Sequence, residues 1–294
     1  MAFYRVRLDA PRELVLFVSG LLAARRREIG TRKGTRKLGC YKQALFGLAW
    51  FRDKGDIPRL GAGFGLPQST AYRYLDEVTG VLAARAPGLQ EALERALAAG
   101  TPYVILDGKI VASDRCQEKT LSRKGREIDL WYSGKKHDFG GNVQAVFYPS
   151  GIPMWVSDVL PGNVHDLAAA RENVLAVLRP FLDAMPALAD SGYEGAGHGV
   201  HVPVKKPAGV KELDIDNRTR NALLSSARCL GERGFALLSQ RWQTLQNVTA
   251  SPGKIGLIAR VLPGAEDADV GGVRDADVVT RKGPAAGVAA GLWW

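Results

Sequence analysis

Two aspartates and one glutamate stand where side chains can do chemistry together. Asp107 and Asp190 each end a short apolar run, which places both at the ends of predicted buried strands. Glu232 lies within residues 217–245, whose pattern predicts a helix that carries Arg228 one turn earlier. Carboxylates at strand ends and on a neighbouring helix can converge on divalent metal ions, and that arrangement suits hydrolysis or transfer at phosphodiesters.

Each aspartate also has a purely structural interpretation. Asp107 precedes Gly108, and Asp before Gly is a common turn signal, so either aspartate could cap a turn without any chemical role. One acid alone does not decide between the two interpretations. The combination of three acids in three settings favours chemistry.

The positive charge of the chain is concentrated at its start. Of the net charge of +10, residues 1–44 contribute +8, from eleven Lys/Arg against three Asp/Glu, with dense clusters at 25–27 and 32–37. A one-sided basic segment suits a polyanionic partner, because neutralising phosphates releases counterions. A solvated, partly disordered basic linker is the alternative interpretation.

Size, cysteine usage and hydropathy indicate the broad class. A chain of 294 residues with 46% hydrophobic content has room for a main domain and a smaller one. Three widely spaced cysteines form neither a disulfide framework nor a zinc motif, which fits a reducing cytoplasm. The chain opens without a signal-peptide pattern, and the apolar run 14–24 is too short to span a bilayer. We therefore expect a cytoplasmic protein that does not enter a membrane.

The N-terminal third has the pattern of a small helical domain. Helices are predicted around residues 14–22, 41–51 and 57–61, followed by a glycine-containing turn and a longer helix from about 68 to 85. Helix, short helix, turn and helix is the helix-turn-helix pattern, although any small helical bundle can imitate it. On this interpretation, five residues near the start of the last helix face the major groove or its phosphates: Gln68, Ser69, Thr70, Tyr72 and Arg73.

A domain boundary is predicted at residues 100–102, because the periodicity changes there. Strands are expected at 103–107, 109–116, 142–148, 153–157 and 200–204, with a strand leading into Asp190 and a charged loop at 118–136. An amphipathic helix is expected at 165–181. Together with the long helix bearing Glu232, this layout predicts an α/β fold with a mixed sheet.

Six short motifs, in order, resemble the DDE transposases of bacterial insertion sequences, in the group with a Harbinger-like endonuclease domain. They are ILDG (105–108), YSGKKH (132–137), PGNVHD (161–166), LADSGYEG (188–195), VPVKKP (202–207) and RCLGERGF (228–235). Each motif is weak alone, whereas six in the right order are specific. The resemblance covers roughly residues 40–260, including the helix-turn-helix.

The resemblance implies a ribonuclease H-like mixed sheet flanked by helices, preceded by a small all-α helix-turn-helix domain. It implies that Asp107, Asp190 and Glu232 are the catalytic residues and the metal ligands. Two divalent ions, Mg²⁺ or Mn²⁺, would be held by these carboxylates; one activates the attacking water or 3′-hydroxyl, and the other stabilises the leaving oxygen.

Accessory roles are expected for further residues of the motifs. Asp166 either orients a metal-bound water or a nearby side chain, or simply favours the start of a helix through the macrodipole. Arg228 could contact phosphate or orient Glu232. Four lysines could clamp the cleaved strand or be merely solvated: Lys135, Lys136, Lys205 and Lys206.

Two positions depart from the family pattern. Ser225 stands three residues before Arg228, where an aromatic or apolar residue is usual, and Ser239 stands seven residues after Glu232, where a basic residue is usual. Arg241 could substitute for that basic residue. These departures bear on whether the chain is fully active.

The sequence therefore predicts a DNA transposase that binds the terminal inverted repeats of an insertion sequence and performs metal-dependent strand cleavage and strand transfer. Its expected partner is double-stranded DNA, at the element ends and the target. A dimer or larger assembly on DNA and a nucleoid-associated cytoplasmic location are also expected. The alternatives are a catalytically inert, transposase-derived DNA-binding regulator and a stand-alone metal-dependent nuclease.

The predicted domain organisation has three parts. Residues 1–99 form a helical region with the helix-turn-helix at about 40–86, and residues 100–262 form the catalytic domain. Residues 263–294 contain six glycines and no sustained apolar period, which predicts an irregular, disordered tail.

Overall fold

The computed structural model describes Leu8 and residues 10–122, 124–209 and 211–261. The tail predicted for 263–294 lies outside the described residues. Among the described helices, none is both long enough and apolar enough to cross a bilayer.

The described part of the N-terminal third contains five helices, which confirms the predicted helical pattern. They are α1 (Arg12–Glu28), α2 (Cys40–Asp53), α3 (Ile57–Gly63), α4 (Gln68–Ala83) and α5 (Leu89–Ala98). Asp56 caps α3 by accepting a hydrogen bond from the Arg59 amide. The turn between α3 and α4 contains Gly65 at φ +69°, a conformation that glycine adopts without steric cost.

Apolar residues at helical spacing pack α4 against the other helices. Ala71, Leu75, Val78 and Leu82 are all buried, as the 3.6-residue period predicts. Gly47 of α2 lies directly against Val78, where an added Cβ would be 2.5 Å from Val78 Cγ1. This close approach of α2 and α4 leaves the opposite side of α4 open to solvent.

Nine strands follow within the described residues. They are β1 (Val104–Ala112), β2 (Lys119–Leu121), β3 (Glu127–Asp129), β4 (Tyr132–Ser133), β5 (Asp138–Phe147), β6 (Pro153–Val156), β7 (Leu160–Pro161), β8 (Ala187–Leu188) and β9 (Val200–His201). The main sheet has the order β4-β5-β1-β8-β9, with β6 and β7 also paired to β5. Strands β1 and β5 are antiparallel, whereas β8 and β9 run parallel to β1. The mixed sheet predicted from the sequence is confirmed.

The strand predictions were wrong in two places. Residues 103–107 and 109–116 are not two strands, because β1 continues without a break through Gly108 to Ala112, held by its pairing with β5. The segment 118–136 is not only a loop, because it contains the hairpin β2–β3 and the short strand β4. Both errors arise because pairing with a distant strand decides where a strand ends.

Helices cover both faces of the sheet. The helix predicted at 165–181 is interrupted at Val174, giving α6 (Asp166–Asn173), α7 (Leu175–Leu178) and a 3₁₀ turn at Arg179–Phe181. The long helix is α8 (Ile215–Arg241), and residues 255–261 are again helical. Alternation along β1 sends Ile105 to the α8 side and Leu106 to the side of α6 and α7, where each joins a separate buried cluster.

The N-terminal helices and the sheet share the buried cluster on the α8 side. Thr244, in the 3₁₀ turn after α8, donates a hydrogen bond to the Trp50 carbonyl at 2.8 Å. Lys254 Nζ lies 2.6 Å from Asp76 Oδ1 on α4. The segment after α8 therefore packs directly against the helical region.

Candidate active site

Asp107 lies in β1 and is the most deeply buried of the predicted catalytic acids, with 8% of its surface exposed. Its Oδ1 accepts a hydrogen bond from the Gly108 amide at 3.0 Å. The pKa of Asp107 is raised to about 6: burial is the main cause, the negative charges of Asp190 and Glu232 contribute, and Arg228 and the Gly108 amide act in the opposite direction. The three predicted acids are thus electrostatic neighbours, although they come from three separate elements.

Asp190 follows β8, which is parallel to β1 and pairs with it at Val104 and Ile105. This pairing brings the end of β8 beside Asp107. The Asp190 carboxylate caps the 3₁₀ turn Ser191–Tyr193 by accepting a hydrogen bond from the Gly192 amide at 2.7 Å. The turn interpretation considered for Asp190 is therefore correct as structure, and it coexists with a position next to the other acids.

Asp166 begins α6 and also faces this cluster. Its Oδ1 accepts a hydrogen bond from Asn142 Nδ2 at 2.9 Å, and its Oδ2 is paired with Lys135 Nζ at 2.8 Å. A Cβ added to Gly192 would have both Asp190 Oδ1 and Asp166 Oδ2 within 4 Å. Both sequence interpretations of Asp166, helix start and site residue, describe its position.

Glu232 lies in α8 with a side chain that is 60% exposed. Its Oε1 is 3.2 Å from Arg228 Nη1, one helical turn earlier. Because Arg228 is only 20% exposed and also lowers the pKa of Asp107, its guanidinium links the two acids electrostatically. Arg228 and Glu232 are therefore in contact, and both predicted roles of Arg228, orienting Glu232 and contacting phosphate, stay predictions.

The donor set has the chemistry that a hard divalent cation prefers, namely carboxylate oxygens. Burial, with a smaller contribution from the charges of Asp190 and Glu232, disfavours the ionised form of Asp107, and a cation bound there would stabilise that form. Within the described residues, however, no three His, Cys, Asp or Glu side chains lie close enough together to hold one ion. The acids fit the ion by charge and type, and Glu232 would have to leave its pairing with Arg228 to join the aspartates.

Three buried polar residues next to the acids were not predicted as site residues: Asn142, Gln144 and Tyr193. Each is at most 1% exposed. Tyr193 was part of a matched motif, and Asn142 and Gln144 are polar residues two apart in an otherwise apolar strand. That i, i+2 polar pair on one face of a buried strand was the available signal.

The four predicted strand-clamping lysines make different contacts. Lys135 pairs with Asp166, and the Lys136 ammonium donates to the Ile110 carbonyl at 3.1 Å. Lys205 pairs with Glu194, just beyond the turn that Asp190 caps, and Lys206 donates to the Lys211 carbonyl. The strand-clamping role of all four lysines stays a prediction.

A lysine side chain lies beside Ser239, the position where the family usually has a basic residue. Lys109, two residues after Asp107, places its Nζ 3.5 Å from Ser239 Oγ and 5.5 Å from the Phe235 ring centroid. Burial and the charge of Lys136 lower the pKa of Lys109. A basic group therefore lies beside Ser239, supplied by β1.

The five predicted DNA-reading residues lie on a different element, at the start of α4. Gln68, Ser69, Tyr72 and Arg73 are exposed and Thr70 is half-buried. Arg73 Nη2 donates to Thr70 Oγ1 at 3.4 Å. Tyr72 also lines a cavity of about 240 Å³ between α4 and residues 249–258, so it faces the seam with the sheet domain as well as solvent.

A cavity of about 330 Å³ opens beside Asp166. Its lining combines apolar side chains with polar ones, among them Ile110, Tyr132, Lys135, Asn142, Val164 and His165. The acid cluster thus has open space on one side.

Comparison with known protein families gives one match. The family described as DDE superfamily endonuclease matches residues 106–262, an interval that contains Asp107, Asp166, Asp190 and Glu232. Comparison with curated proteins and with solved structures gives no match. The match spans more than half of the chain and confirms the DDE part of the resemblance, while the helix-turn-helix lies outside the matched residues and stays a prediction.

Proposed function

Since the chain belongs to the DDE superfamily of endonucleases, we propose that it is a DNA transposase that cleaves and rejoins strands at the ends of an insertion sequence. The observation that carries this proposal is that Asp107 of β1, Asp190 after β8 and Glu232 of α8 are close enough to interact electrostatically. Burial is the main cause that raises the pKa of Asp107 to about 6, and the charges of Asp190 and Glu232 add to it. Acids held together at this electrostatic cost favour a cationic ligand over a purely structural role.

Asp107, Asp190 and Glu232 would hold divalent ions, Mg²⁺ or Mn²⁺, and two ions suit an in-line displacement. When bound, the ions supply an activated water or 3′-hydroxyl and stabilise the leaving oxygen. The protein residues then bind and orient. Arg228 would exchange its contact with Glu232 for a DNA phosphate. Lys135, now paired with Asp166, and Lys136, now bound to the Ile110 carbonyl, would hold the cleaved strand.

The proposed fold of the catalytic domain is ribonuclease H-like. The sheet order β6-β5-β1-β8-β9, with three antiparallel strands followed by two parallel to β1, supports this proposal. The positions of Asp107 on the central strand, Asp190 after its parallel neighbour and Glu232 on a late helix agree with it.

Helices α2, α3 and α4 form the proposed helix-turn-helix that binds the terminal inverted repeats. In support, α3 and α4 are joined by a short glycine-containing turn, and the start of α4 is exposed. Exposed basic residues at the end of α1 and just after it, among them Arg25, Arg27, Arg32 and Lys33, would add contacts to phosphates. Because two ends must be brought together, we propose a dimer or larger assembly on DNA, in the nucleoid-associated cytoplasm.

Two assays on duplexes taken from the flanks of the coding sequence test this function. The protein should cut these duplexes in Mg²⁺ or Mn²⁺ and not in EDTA, at a position next to an inverted repeat. Arg73→Ala should weaken specific end binding by roughly 10-fold. The matched control is Arg95→Ala on the exposed side of α5, which should leave binding unchanged. Equal losses on end and random duplexes for Arg73→Ala would mean that α4 does not read bases.

A catalytically inert DNA-binding regulator is the second candidate, and one observation favours it. Glu232 is paired with Arg228, and among the described residues it does not form a three-carboxylate ligand set with the two aspartates. Specific end binding by the purified protein without any metal-dependent cleavage, in both Mg²⁺ and Mn²⁺, would establish this candidate instead.

A further inference from the structure

Four side chains behind the acid cluster form one continuous chain of hydrogen bonds. Tyr193 Oη donates to Gln144 Oε1 at 2.6 Å, and Gln144 Nε2 donates to Asn142 Oδ1 at 2.8 Å. Asn142 Nδ2 then donates to Asp166 Oδ1 at 2.9 Å. The first three members are buried, so water does not compete for these bonds.

The chain has a direction. The hydroxyl of Tyr193 donates a hydrogen bond to the amide oxygen of Gln144. The NH₂ group of Gln144 therefore points toward Asn142. That contact in turn directs the Asn142 NH₂ toward Asp166, and the same NH₂ also donates to the Val164 carbonyl at 3.0 Å. Because both amides are oriented in series, the last partner has to be an acceptor, which a carboxylate is.

These bonds connect the elements that carry the acids. Tyr193 belongs to the turn capped by Asp190, and Gln144 and Asn142 belong to β5, next to β1. Gly108, the neighbour of Asp107, leaves room for them: an added Cβ would lie 2.5 Å from Gln144 Nε2 and 2.8 Å from Tyr193 Oη. The chain of hydrogen bonds therefore packs against the backbone of Gly108, next to Asp107. It begins in the turn that Asp190 caps and ends on Asp166.

We propose that Tyr193, Gln144 and Asn142 are positioning residues that hold Asp166 and the Asp190 turn in the arrangement needed for metal-dependent cleavage. This inference rests on the proposed nuclease function and deepens it. None of the three touches DNA or a metal ion in this proposal; they act by fixing two acids from different segments relative to each other. Residues that orient metal-site carboxylates typically change metal affinity or activity by about 10- to 100-fold when altered.

Tyr193→Phe is the sharpest test, because it removes one hydroxyl and keeps the ring. At saturating DNA, kcat for cleavage should fall by about 10-fold or more, while the Kd for the end duplex stays within about twofold. Binding of Mn²⁺ to the protein without DNA, measured by calorimetry, should weaken by a similar factor. Tyr74→Phe is the matched control: it removes a buried tyrosine hydroxyl from α4 and should leave kcat and Mn²⁺ binding unchanged.

Asn142→Asp provides a second, independent break at the other end of the chain of bonds. It keeps the size of the side chain but sets an acceptor against Asp166, so it should reduce kcat and Mn²⁺ affinity at least as much as Tyr193→Phe. Wild-type kcat and Mn²⁺ affinity in a folded Tyr193→Phe or Asn142→Asp protein would overturn the inference. If the wild-type protein shows no metal-dependent cleavage, the proposed function has failed. If the wild type and both variants all cleave normally, only the inference about positioning has failed.

Discussion

The two faces of strand β1 hold their acids in different ways. On the α8 face, Asp107 is buried with a raised pKa, and its partner Glu232 is an exposed side chain on a helix. On the α6 face, Asp166 is tied by Lys135 and by the hydrogen bonds that run from Tyr193 through β5. The α8 face therefore holds a buried carboxylate whose ionisation is unfavourable, and the α6 face holds a carboxylate fixed by hydrogen bonds and an ion pair.

This difference indicates a division of labour. A buried carboxylate that resists ionisation gains most from a bound cation, so a metal ion would change the energy of the α8 face most. A carboxylate that already has hydrogen-bond and ion-pair partners gains less, so the α6 face would change least. Substitutions of acids on the α8 face and on the α6 face should therefore have different effects on cleavage and stability.

The largest expected effect is the loss of cleavage when a proposed metal ligand is neutralised. Asp107→Asn, Asp190→Asn and Glu232→Gln should each reduce Mg²⁺-dependent cleavage by about 1000-fold or more, because each removes one ligand charge. End binding should persist, since α4 is untouched. Asp183→Asn, at an exposed aspartate paired with His198, is the control and should cleave normally. Near-normal cleavage by any of the first three would mean that residue is misassigned.

A smaller loss is expected on the other face. Asp166→Asn keeps an oxygen that accepts from Asn142 but removes the charge paired with Lys135, so cleavage should fall by about 10- to 100-fold. Rates measured beside Asp107→Asn, under the same conditions, give the comparison directly. If cleavage by Asp166→Asn fell as far as cleavage by Asp107→Asn, the two faces would not differ. If cleavage were unchanged, Asp166 would only start the helix.

Arg228 should control the pH dependence of the α8 face. Its positive charge lowers the pKa of Asp107, so Arg228→Met should raise that pKa and shift the acidic limb of the cleavage profile to higher pH. Relative to wild type, the variant should lose more activity near about pH 6 than near about pH 8. Arg220→Met, on the same helix with its guanidinium on the Val202 carbonyl, should not change the shape of the profile.

The smallest expected effect concerns stability without metal. The pKa of Asp107 is about 6 in the folded protein and 3.8 in the reference state, so the folded state binds more protons between these values. Stability therefore falls as pH rises from about 4 to about 6, and by neutral pH the ionised Asp107 costs on the order of 2–3 kcal/mol. Asp107→Asn should be more stable than wild type at pH 7 in EDTA, and the difference should shrink near pH 4.

Denaturant unfolding at the two pH values measures this difference. Asp183→Asn should show no such pH-dependent gain, because its carboxylate is exposed. A wild-type protein as stable as Asp107→Asn at pH 7 would mean that the α8 face carries no electrostatic strain, and the contrast between the two faces would lose its basis.

Local patterns were enough to predict much of the fold. Apolar runs predicted that Asp107 lies on a buried strand and that Asp190 follows one, and helical spacing predicted α4 with Leu75, Val78 and Leu82 buried. These features depend on which residues a segment buries, which a short stretch of sequence records. The ordered motifs likewise indicated the DDE family, which the match over residues 106–262 confirms.

Long-range pairing decided the rest. The continuation of β1 through Gly108 follows from its partner β5, and the hydrogen bonds from Tyr193 to Gln144 and from Asn142 to Asp166 join residues 49 and 24 positions apart. A polar residue in a buried strand shows in the sequence as an exception, but its partner does not. Only the packing of β5 between β1 and the start of α6 determines that Asn142 meets Asp166, because hydrogen-bond geometry is set by three-dimensional position and not by local periodicity.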